Sequence, residues 1–390
     1  MSDNKKNISK REFIKYSLCG LGGLALGINS IDLIANHVGK IAGRGGMPPS
    51  NDLWKWSKEA MYSIETPRGI KCQLCPHACV LKEGETGDCR TRVNNKGKLY
   101  TIAYGNPCAS HVDPIEKKPL YHFLPSSKAF SIATAGCNLA CLNCQNWEIS
   151  QSSPKDTRNY DLMPWRLIEE CKKYKCKSIA YTYSEPIAFY EYTYDSAKLA
   201  KELGIKNILV TAGYINEEPL REISKYIDAA NIDLKSFSNE IYEMLNGGTL
   251  QPVLNTLKIL KEENVWIEIT NLIVPSWTDD FDMIKKMCDW LVDNGLNEYP
   301  LHFSRFHPMY KLTNLPSTPT STLEKARNIA LIAGIKYVYI GNVPGTNAEN
   351  TFCPNCKKTL IERRGYSIIS NNIIDAKCKY CGEKISGVWE

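Results

Sequence analysis

Three cysteines stand in Gly136-Cys137-Asn138-Leu139-Ala140-Cys141-Leu142-Asn143-Cys144-Gln145-Asn146, spaced C-x3-C-x2-C with no fourth cysteine nearby. Three thiolates on one tight loop can hold a cubic 4Fe-4S cluster and leave one iron without a protein ligand. The open corner suits the amino and carboxylate groups of a methionyl moiety, and S-adenosylmethionine (SAM) chelated there brings its sulfonium against the cluster. An electron from the reduced cluster then splits a carbon–sulfur bond, giving methionine and a 5′-deoxyadenosyl radical that takes a hydrogen atom from a substrate. In such chemistry the cofactor does the hard step, and the chain supplies geometry and exclusion of water. A zinc knuckle or buried thiols are the alternative readings of the bare spacing, and the elements around the loop decide between them.

The sixteen cysteines are too clustered for a disulfide framework. An upstream set, Cys72, Cys75, Cys79 and Cys89, begins in Cys72-Gln73-Leu74-Cys75-Pro76-His77-Ala78-Cys79. It is ample for one tetrahedral zinc or a second iron-sulfur cluster, and a site closed by four thiolates is structural or electron-relaying. A terminal set, Cys353, Cys356, Cys378 and Cys381, forms two C-x2-C knuckles 21 residues apart, which predicts a zinc-ribbon-like module with zinc favoured over iron. Cys19, Cys108, Cys171, Cys176 and Cys288 read as thiols without a metal.

Positioning the open cluster requires a rigid frame. From residue 129 onward, β-branched runs alternate with amphipathic helical stretches. The predicted strands are Phe130–Ala135, Ser178–Tyr183, Asn207–Ala212, Ala230–Leu234, Trp266–Val274 and Leu301–Phe306; the predicted helices are Trp165–Tyr174, Tyr190–Leu203, Glu217–Tyr226, Gln251–Glu263 and Phe281–Asp293. This pattern implies right-handed βαβ units and a parallel sheet, an α/β partial (β/α)6 barrel with chemistry at the carboxyl ends of its strands. The cluster loop follows the first of those strands.

Candidate cofactor contacts follow from the same rule. Glu185, after the second strand, either accepts a SAM ammonium or is a helix N-terminal acid before Pro186. Asp233 and Lys235 share a face by the period of two, and on a lumen face they need each other or a zwitterionic ligand. Glu268 and Thr270 share one face of the fifth strand, and Ile267, Ile269 and Ile273 the other, so the polar pair is expected inside. His302 and His307 lie on opposite faces of the last strand, His307 at the catalytic end.

At 390 residues the chain exceeds one ordinary domain. The expected plan is an N-terminal segment 1–36, a four-cysteine module 50–125 with a hairpin at Asn94-Asn95-Lys96-Gly97, a core 126–345 and a terminal module 348–390. Ser9-Lys10-Arg11-Glu12-Phe13-Ile14-Lys15 before an apolar run resembles a twin-arginine export signal lacking its first arginine; a membrane tether and a plain helix fit as well. The supply of SAM and low-potential electrons argues for the cytoplasm. Forty-eight basic against 42 acidic side chains leave +6, a mild excess that neither identifies nor excludes a nucleic-acid partner.

Taken together, Lys71-Cys72-Gln73-Leu74-Cys75-Pro76-His77, Asp113-Pro114-Ile115-Glu116-Lys117-Lys118-Pro119-Leu120-Tyr121-His122-Phe123 and the cluster loop resemble the radical SAM component of the AmmeMemoRadiSam system, a relative of pyruvate formate-lyase activating enzymes. The wider likeness extends to Asp233-Leu234-Lys235, Val274-Pro275-Ser276-Trp277-Thr278-Asp279-Asp280 and Phe306-His307-Pro308-Met309-Tyr310-Lys311. It implies that Cys137, Cys141 and Cys144 ligate the cluster and that Asp233, Lys235 and His307 surround SAM. Activating enzymes carry two glycines where this chain has Tyr183 and Ser184, and an aromatic residue where it has Asn143. The expected function is reductive SAM cleavage with hydrogen abstraction from an unidentified substrate, a protein or another macromolecule, fed by an electron donor such as flavodoxin or ferredoxin. Two alternatives stand beside it: a glycyl-radical enzyme activase, and an iron-sulfur or zinc redox or binding module without SAM chemistry. Asp113, Glu116, Lys117, Tyr121 and His122 either shape the substrate site or form a structural hairpin.

Overall fold

The computed structural model describes residues 53–390; segment 1–36, the linker that follows it and Cys19 lie outside them. Eight strands form the central sheet: β1 (Ala109–Pro114), β2 (Lys128–Ala133), β3 (Ser178–Tyr181), β4 (Lys206–Thr211), β5 (Ala229–Asp233), β6 (Trp266–Ile273), β7 (Leu301–Arg305) and β8 (Val338–Gly341). β1 is antiparallel to β2, and all later neighbours are parallel. Spatial order equals chain order, so β1 and β8 are the two edges of an open sheet. With right-handed crossovers and no reversal of order, the connecting helices all fall on one face.

Those helices are α1 (Pro164–Lys173), α2 (Tyr190–Glu202), α3 (Glu217–Ser224), α4 (Leu250–Glu262), α5 (Phe281–Asp293) and α6 (Thr320–Ala333). Each turns an apolar stripe to the sheet. In α5 the stripe is Ile284, Met287, Cys288 and Leu291, and the helix starts where Asp280 accepts from Asp282 N and Met283 N. Cys171 and Cys288 are buried on such stripes, as thiols filling the core.

The sheet is larger than the six predicted units. β8 is a seventh parallel strand, hidden in the sequence because it has only four residues and because α6 buries two alanines, Ala326 and Ala330, beside Leu323. β1 alternates too weakly to read as a strand, having one buried position, Asp113, in six, and an edge place tolerates its Pro114. Because β1 pairs with β2, residues 109–114 belong to the central sheet. Upstream, the hairpin forms as expected, Arg92–Asn95 with Lys98–Thr101, and Lys96 and Gly97 supply the two positive φ angles of its turn. Among the described residues no helix is long and apolar enough to cross a membrane.

At the amino ends of the parallel strands the face opposite the helices is plugged by residues 119–124. Asn231 Nδ2 donates to Pro119 O at 2.9 Å. Tyr121 N and His122 N donate to the two oxygens of Glu268, at 2.9 and 2.7 Å, and His302 Nε2 donates to the same carboxylate at 2.7 Å. Glu268 is fully buried, as its inward face predicts, and its partners make it a structural anchor far from the cluster loop. The chain terminus seals this end: Val388 N donates to His122 O at 2.7 Å, and Arg363 Nη2 to Tyr121 O at 2.9 Å. Tyr121 and His122 thus brace the base of the sheet.

His122 is buried between Ser386 O, 2.6 Å from Nδ1, and Tyr339 Oη, 2.6 Å from Nε2. A carbonyl only accepts, so Nδ1 carries the proton and Nε2 accepts from the tyrosine. Burial lowers the imidazole from 6.5 to about 4, against the pull of Glu268. The unfolded chain therefore binds a proton that the native chain refuses between these values, and stability falls as pH drops from 6.5 toward 4. The expected loss is about 2 kcal/mol by pH 5. Thermal unfolding of His122→Gln against wild type checks this; equal pH slopes between pH 7 and 5 would contradict it.

Candidate functional site

The cluster loop leaves the carboxyl end of β2 through Gly136, whose φ of +106° favours glycine and whose missing Cβ would lie 2.5 Å from both Cys89 O and Thr91 Cγ2. The loop is pinned by Ala140 N to Asn246 O at 2.8 Å, Leu142 N to Leu245 O at 2.9 Å and Lys311 N to Leu142 O at 3.0 Å. Every sulfur has a polar neighbour: Leu139 N donates to Cys137 Sγ at 3.3 Å, Asn246 Nδ2 donates to Cys141 Sγ at 3.3 Å, and Ser150 Oγ lies 3.0 Å from Cys144 Sγ. Asn246 and Ser150 were not singled out from the sequence. Asn246 precedes Gly247-Gly248, whose Cβ positions would press on Ala140 and Leu139, and that glycine pair was the available signal.

The charged candidates separate into two groups around this loop. Burial raises the Cys137 thiol well above its ordinary value, and the Glu185 carboxylate adds to the rise, which places that acid near the first cysteine. Burial also raises Cys141, while the Lys235 ammonium and the Asn246 amide pull it back. Lys235 Nζ pairs with Asp233 Oδ2 at 2.9 Å, with side chains 21% and 39% exposed. Burial alone would lower Lys235, but Asp233 and the Cys141 sulfur outweigh it and hold the ammonium charged.

Glu185 is otherwise occupied. Its carboxylate accepts from Thr211 Oγ1, from Ala212 N at 2.9 Å and from Ile187 N at 3.2 Å, and desolvation raises its pKa. Thr270 Oγ1 donates to Asn231 Oδ1 at 3.0 Å, between the Glu268 base and the Asp233–Lys235 pair. His307 lies beyond β7, exposed, with Nδ1 3.0 Å from Ser317 Oγ. Its neighbour Tyr310 stacks on Trp147, three residues past Cys144, at 5.2 Å between ring centroids.

Tyr183 stands in the left-handed region at φ 64°, a backbone shape that glycine adopts freely. Its hydroxyl donates to Asp113, a carboxylate also paired with Lys117 and Lys118, and its carbonyl accepts from Asn146 Nδ2 at 2.7 Å. The turn is therefore kept without the glycine and held by a side-chain contact.

The two four-cysteine sets differ in spacing. In the terminal set Cys353 and Cys381 sulfurs are 3.6 Å apart and Cys356 and Cys378 are 3.7 Å apart. Among the described residues this is the group of His, Cys, Asp or Glu side chains whose ligand atoms all fall within 4.8 Å of one another. Four sulfurs about 2.3 Å from one ion in a tetrahedron sit about 3.8 Å from each other. The upstream set lines one cavity instead, with its sulfurs farther apart.

Residues 131–291 match the Radical SAM superfamily. The uncharacterized protein MJ0808 of Methanocaldococcus jannaschii is 46% identical over 331 residues, covering 84% of this chain and 98% of that protein. The chain belongs to the radical SAM superfamily. Pyruvate formate-lyase 1-activating enzyme of Escherichia coli is 25% identical over 223 residues, 52% of this chain and 89% of that one. Pyruvate formate-lyase-activating enzyme of Clostridium pasteurianum is 26% identical over 178 residues, 45% and 73% of the two chains. This radical SAM enzyme is thus related to the activating enzymes, and its family implies a 4Fe-4S cluster and SAM.

In a radical SAM enzyme built this way, Gly136 carries the seam between the cluster loop and the upstream module. Gly136→Ala combines a disfavoured φ with a clash against backbone, and the expected cost is about 3 kcal/mol. Iron content and thermal midpoint of the variant measure it; wild-type values for both would show that the seam yields freely.

Proposed function

We propose that Cys137, Cys141 and Cys144 hold the 4Fe-4S cluster of this radical SAM enzyme, and that it cleaves SAM and abstracts hydrogen from a protein or another macromolecule as the radical SAM component of the AmmeMemoRadiSam system. The observation that carries this reading is the Asp233–Lys235 pair beside Cys141, on the same loop as Cys137 and its neighbour Glu185. The site suits the cluster: three thiols on one loop, each with a polar neighbour, and no fourth cysteine in the loop. Bound there, the cluster supplies the electron that splits the SAM sulfonium into methionine and a 5′-deoxyadenosyl radical.

The chain's own groups then have distinct tasks. Lys235 and Asp233, partly exposed and of opposite charge, match the carboxylate and ammonium of a zwitterionic methionyl group. Glu185 already accepts three protein donors, so its task is to fix the β3 and β4 ends, with one further lone pair available to the ammonium. Thr270, bonded to Asn231, and the exposed His307, bonded to Ser317, are the further cofactor contacts proposed. The terminal thiols suit zinc by their tetrahedral spacing. The electron donor is of the flavodoxin or ferredoxin class, and the cytoplasm supplies both it and SAM.

A second reading, a glycyl-radical enzyme activase, is favoured by the names of the Escherichia and Clostridium relatives. Those relatives align to only about half of this chain, leaving no counterpart for the rest, which points to a different substrate. Reconstituted protein given dithionite and SAM is expected to form 5′-deoxyadenosine; none above a cluster-free control would overturn the proposal. A stable glycyl radical arising in a partner protein would favour the activase.

A further inference from the structure

The upstream cysteines are not explained by SAM cleavage. Cys72, Cys75 and Cys79 occupy one loop as C-x2-C-x3-C, with Cys89 remote, a grouping of three plus one. Paired knuckles, as in the terminal set, are the usual zinc arrangement, whereas three near thiolates and a distant fourth are typical of cubane ligation. Spacing in the fold agrees. The terminal sulfurs approach to 3.6 and 3.7 Å, while the upstream sulfurs line one cavity and do not form a group whose ligand atoms all lie within 4.8 Å of one another.

That cavity is walled by Leu74, Leu81 and Ile187 on its apolar side, and its polar lining is the four cysteines, the buried Arg92, His77, Asn138 and Asp88, whose carboxylate lies 3.5 Å from Cys79 Sγ. Arg92, 1% exposed, donates from Nη1 to Cys72 Sγ at 3.4 Å, and its Nε is buried without a partner. Thr91 Oγ1 lies 3.2 Å from Cys89 Sγ and donates its proton to Ala188 O at 2.6 Å. An unspent buried N–H on a cation lining a thiol-ringed cavity fits an anionic cluster, whose sulfurs accept several such bonds. Arg92 is also ion-paired with Glu191, itself fully buried, which fixes the guanidinium in place.

The cavity adjoins the three-cysteine loop. Asn138, the residue after Cys137, lines it. His77, between Cys75 and Cys79, lies 2.6 Å from Asn138 O through Nε2, and Arg90 Nη1 donates to Cys137 O at 3.3 Å. Gly136 leaves no room for a Cβ against Cys89 O. Residues 136–138 of the three-cysteine loop therefore lie directly against the wall of the upstream cavity.

We propose that Cys72, Cys75, Cys79 and Cys89 hold a second 4Fe-4S cluster, closed by four thiolates, that relays electrons to the three-cysteine cluster; the relay, but not the second cluster, rests on the SAM-cleaving function proposed above. A reduced ferredoxin or flavodoxin gives one electron to the upstream cluster and is oxidised by one. The upstream cluster returns to its oxidised state as that electron reduces the three-cysteine cluster, and the electron is consumed when the SAM carbon–sulfur bond breaks. No proton or heavy atom moves in the relay itself.

The test uses the full chain, reconstituted anaerobically. A triple variant, Cys137→Ala, Cys141→Ala and Cys144→Ala, is expected to keep about four irons and four sulfides per chain and a reduced-state electron paramagnetic resonance signal indifferent to SAM. A Cys75→Ala, Cys89→Ala variant is expected to keep the other cluster and to form 5′-deoxyadenosine with dithionite, but to lose at least tenfold in rate with reduced flavodoxin. An iron-free triple variant carrying zinc upstream would overturn the second cluster, and an unchanged flavodoxin-driven rate would overturn the relay. If instead wild type holds two clusters and neither signal responds to SAM, the SAM-cleaving reading fails while the second cluster stands. Should the upstream variant not fold, the triple variant still decides the cluster, because its upstream site is intact.

Discussion

Cys141→Ala is expected to bring 5′-deoxyadenosine formation down to the level of cluster-free protein, a loss of at least about 100-fold, larger than the usual cost of removing an outer-shell partner of a metal ligand. Cys141 is central to the loop: it is half-buried, takes a hydrogen bond from Asn246 at 3.3 Å and feels the charge of Lys235. Two remaining thiolates leave a cubane with two open irons, which decays rather than binding one bidentate ligand. Asn246→Ala keeps all three ligands and removes only the donor to the sulfur, so a smaller loss, about 10-fold, is expected. Product yield in both variants, with thermal midpoints as a folding control, reads the comparison. Wild-type yield from Cys141→Ala in folded protein would remove that thiol from the site.

Stripping the zinc proposed for the terminal thiols should have the largest effect on stability. The module it organises is not an appendage: its Arg363 reaches Tyr121 O, Ser386 O holds His122, and Val388 bonds both to His122 O and to Leu124 N. Its buried thiols Cys353 and Cys378 sit in one apolar cluster with Tyr121, Tyr337 and Tyr339 of the sheet's base. Structural zinc supplies about 10 kcal/mol or more of apparent binding energy in small modules, and the proposed terminal zinc would supply part of that as folding energy. Chelation, or Cys378→Ala, is expected to lower the thermal midpoint by on the order of 10 °C, with earlier proteolysis of residues 351–390. An unchanged midpoint after verified metal removal would mean that hydrogen bonds alone hold the module.

How much of this was legible in the sequence depended on the range of the interactions. The three-cysteine loop reads directly because its cysteines lie within eight residues, and the six predicted strands end within two residues of those in the sheet, since apolar runs mark them locally. The face of Glu268 and Thr270 was legible from the period of two, but the role of Glu268 was not, because its partners Tyr121 and His122 are 147 and 146 residues away. For the same reason the Tyr121-His122 portion of its string could be read as substrate site or as structure, and it is the base of the sheet. β8 escaped because it is short, and Tyr183 could not announce its left-handed backbone, since the contacts that hold it, with Asp113 and Asn146, are 70 and 37 residues away. His307 is near the rim but exposed, a position that periodicity alone cannot fix.

The proposed function requires an iron left open for SAM by the three-thiolate loop. The most direct measurement is electron–nuclear double resonance on the reduced Cys75→Ala, Cys89→Ala protein, with SAM carrying a nitrogen-15 label on its amino group. A resolved coupling between that nitrogen and the cluster is the predicted result. A cluster whose signal is the same with and without SAM, and shows no such coupling, would contradict it.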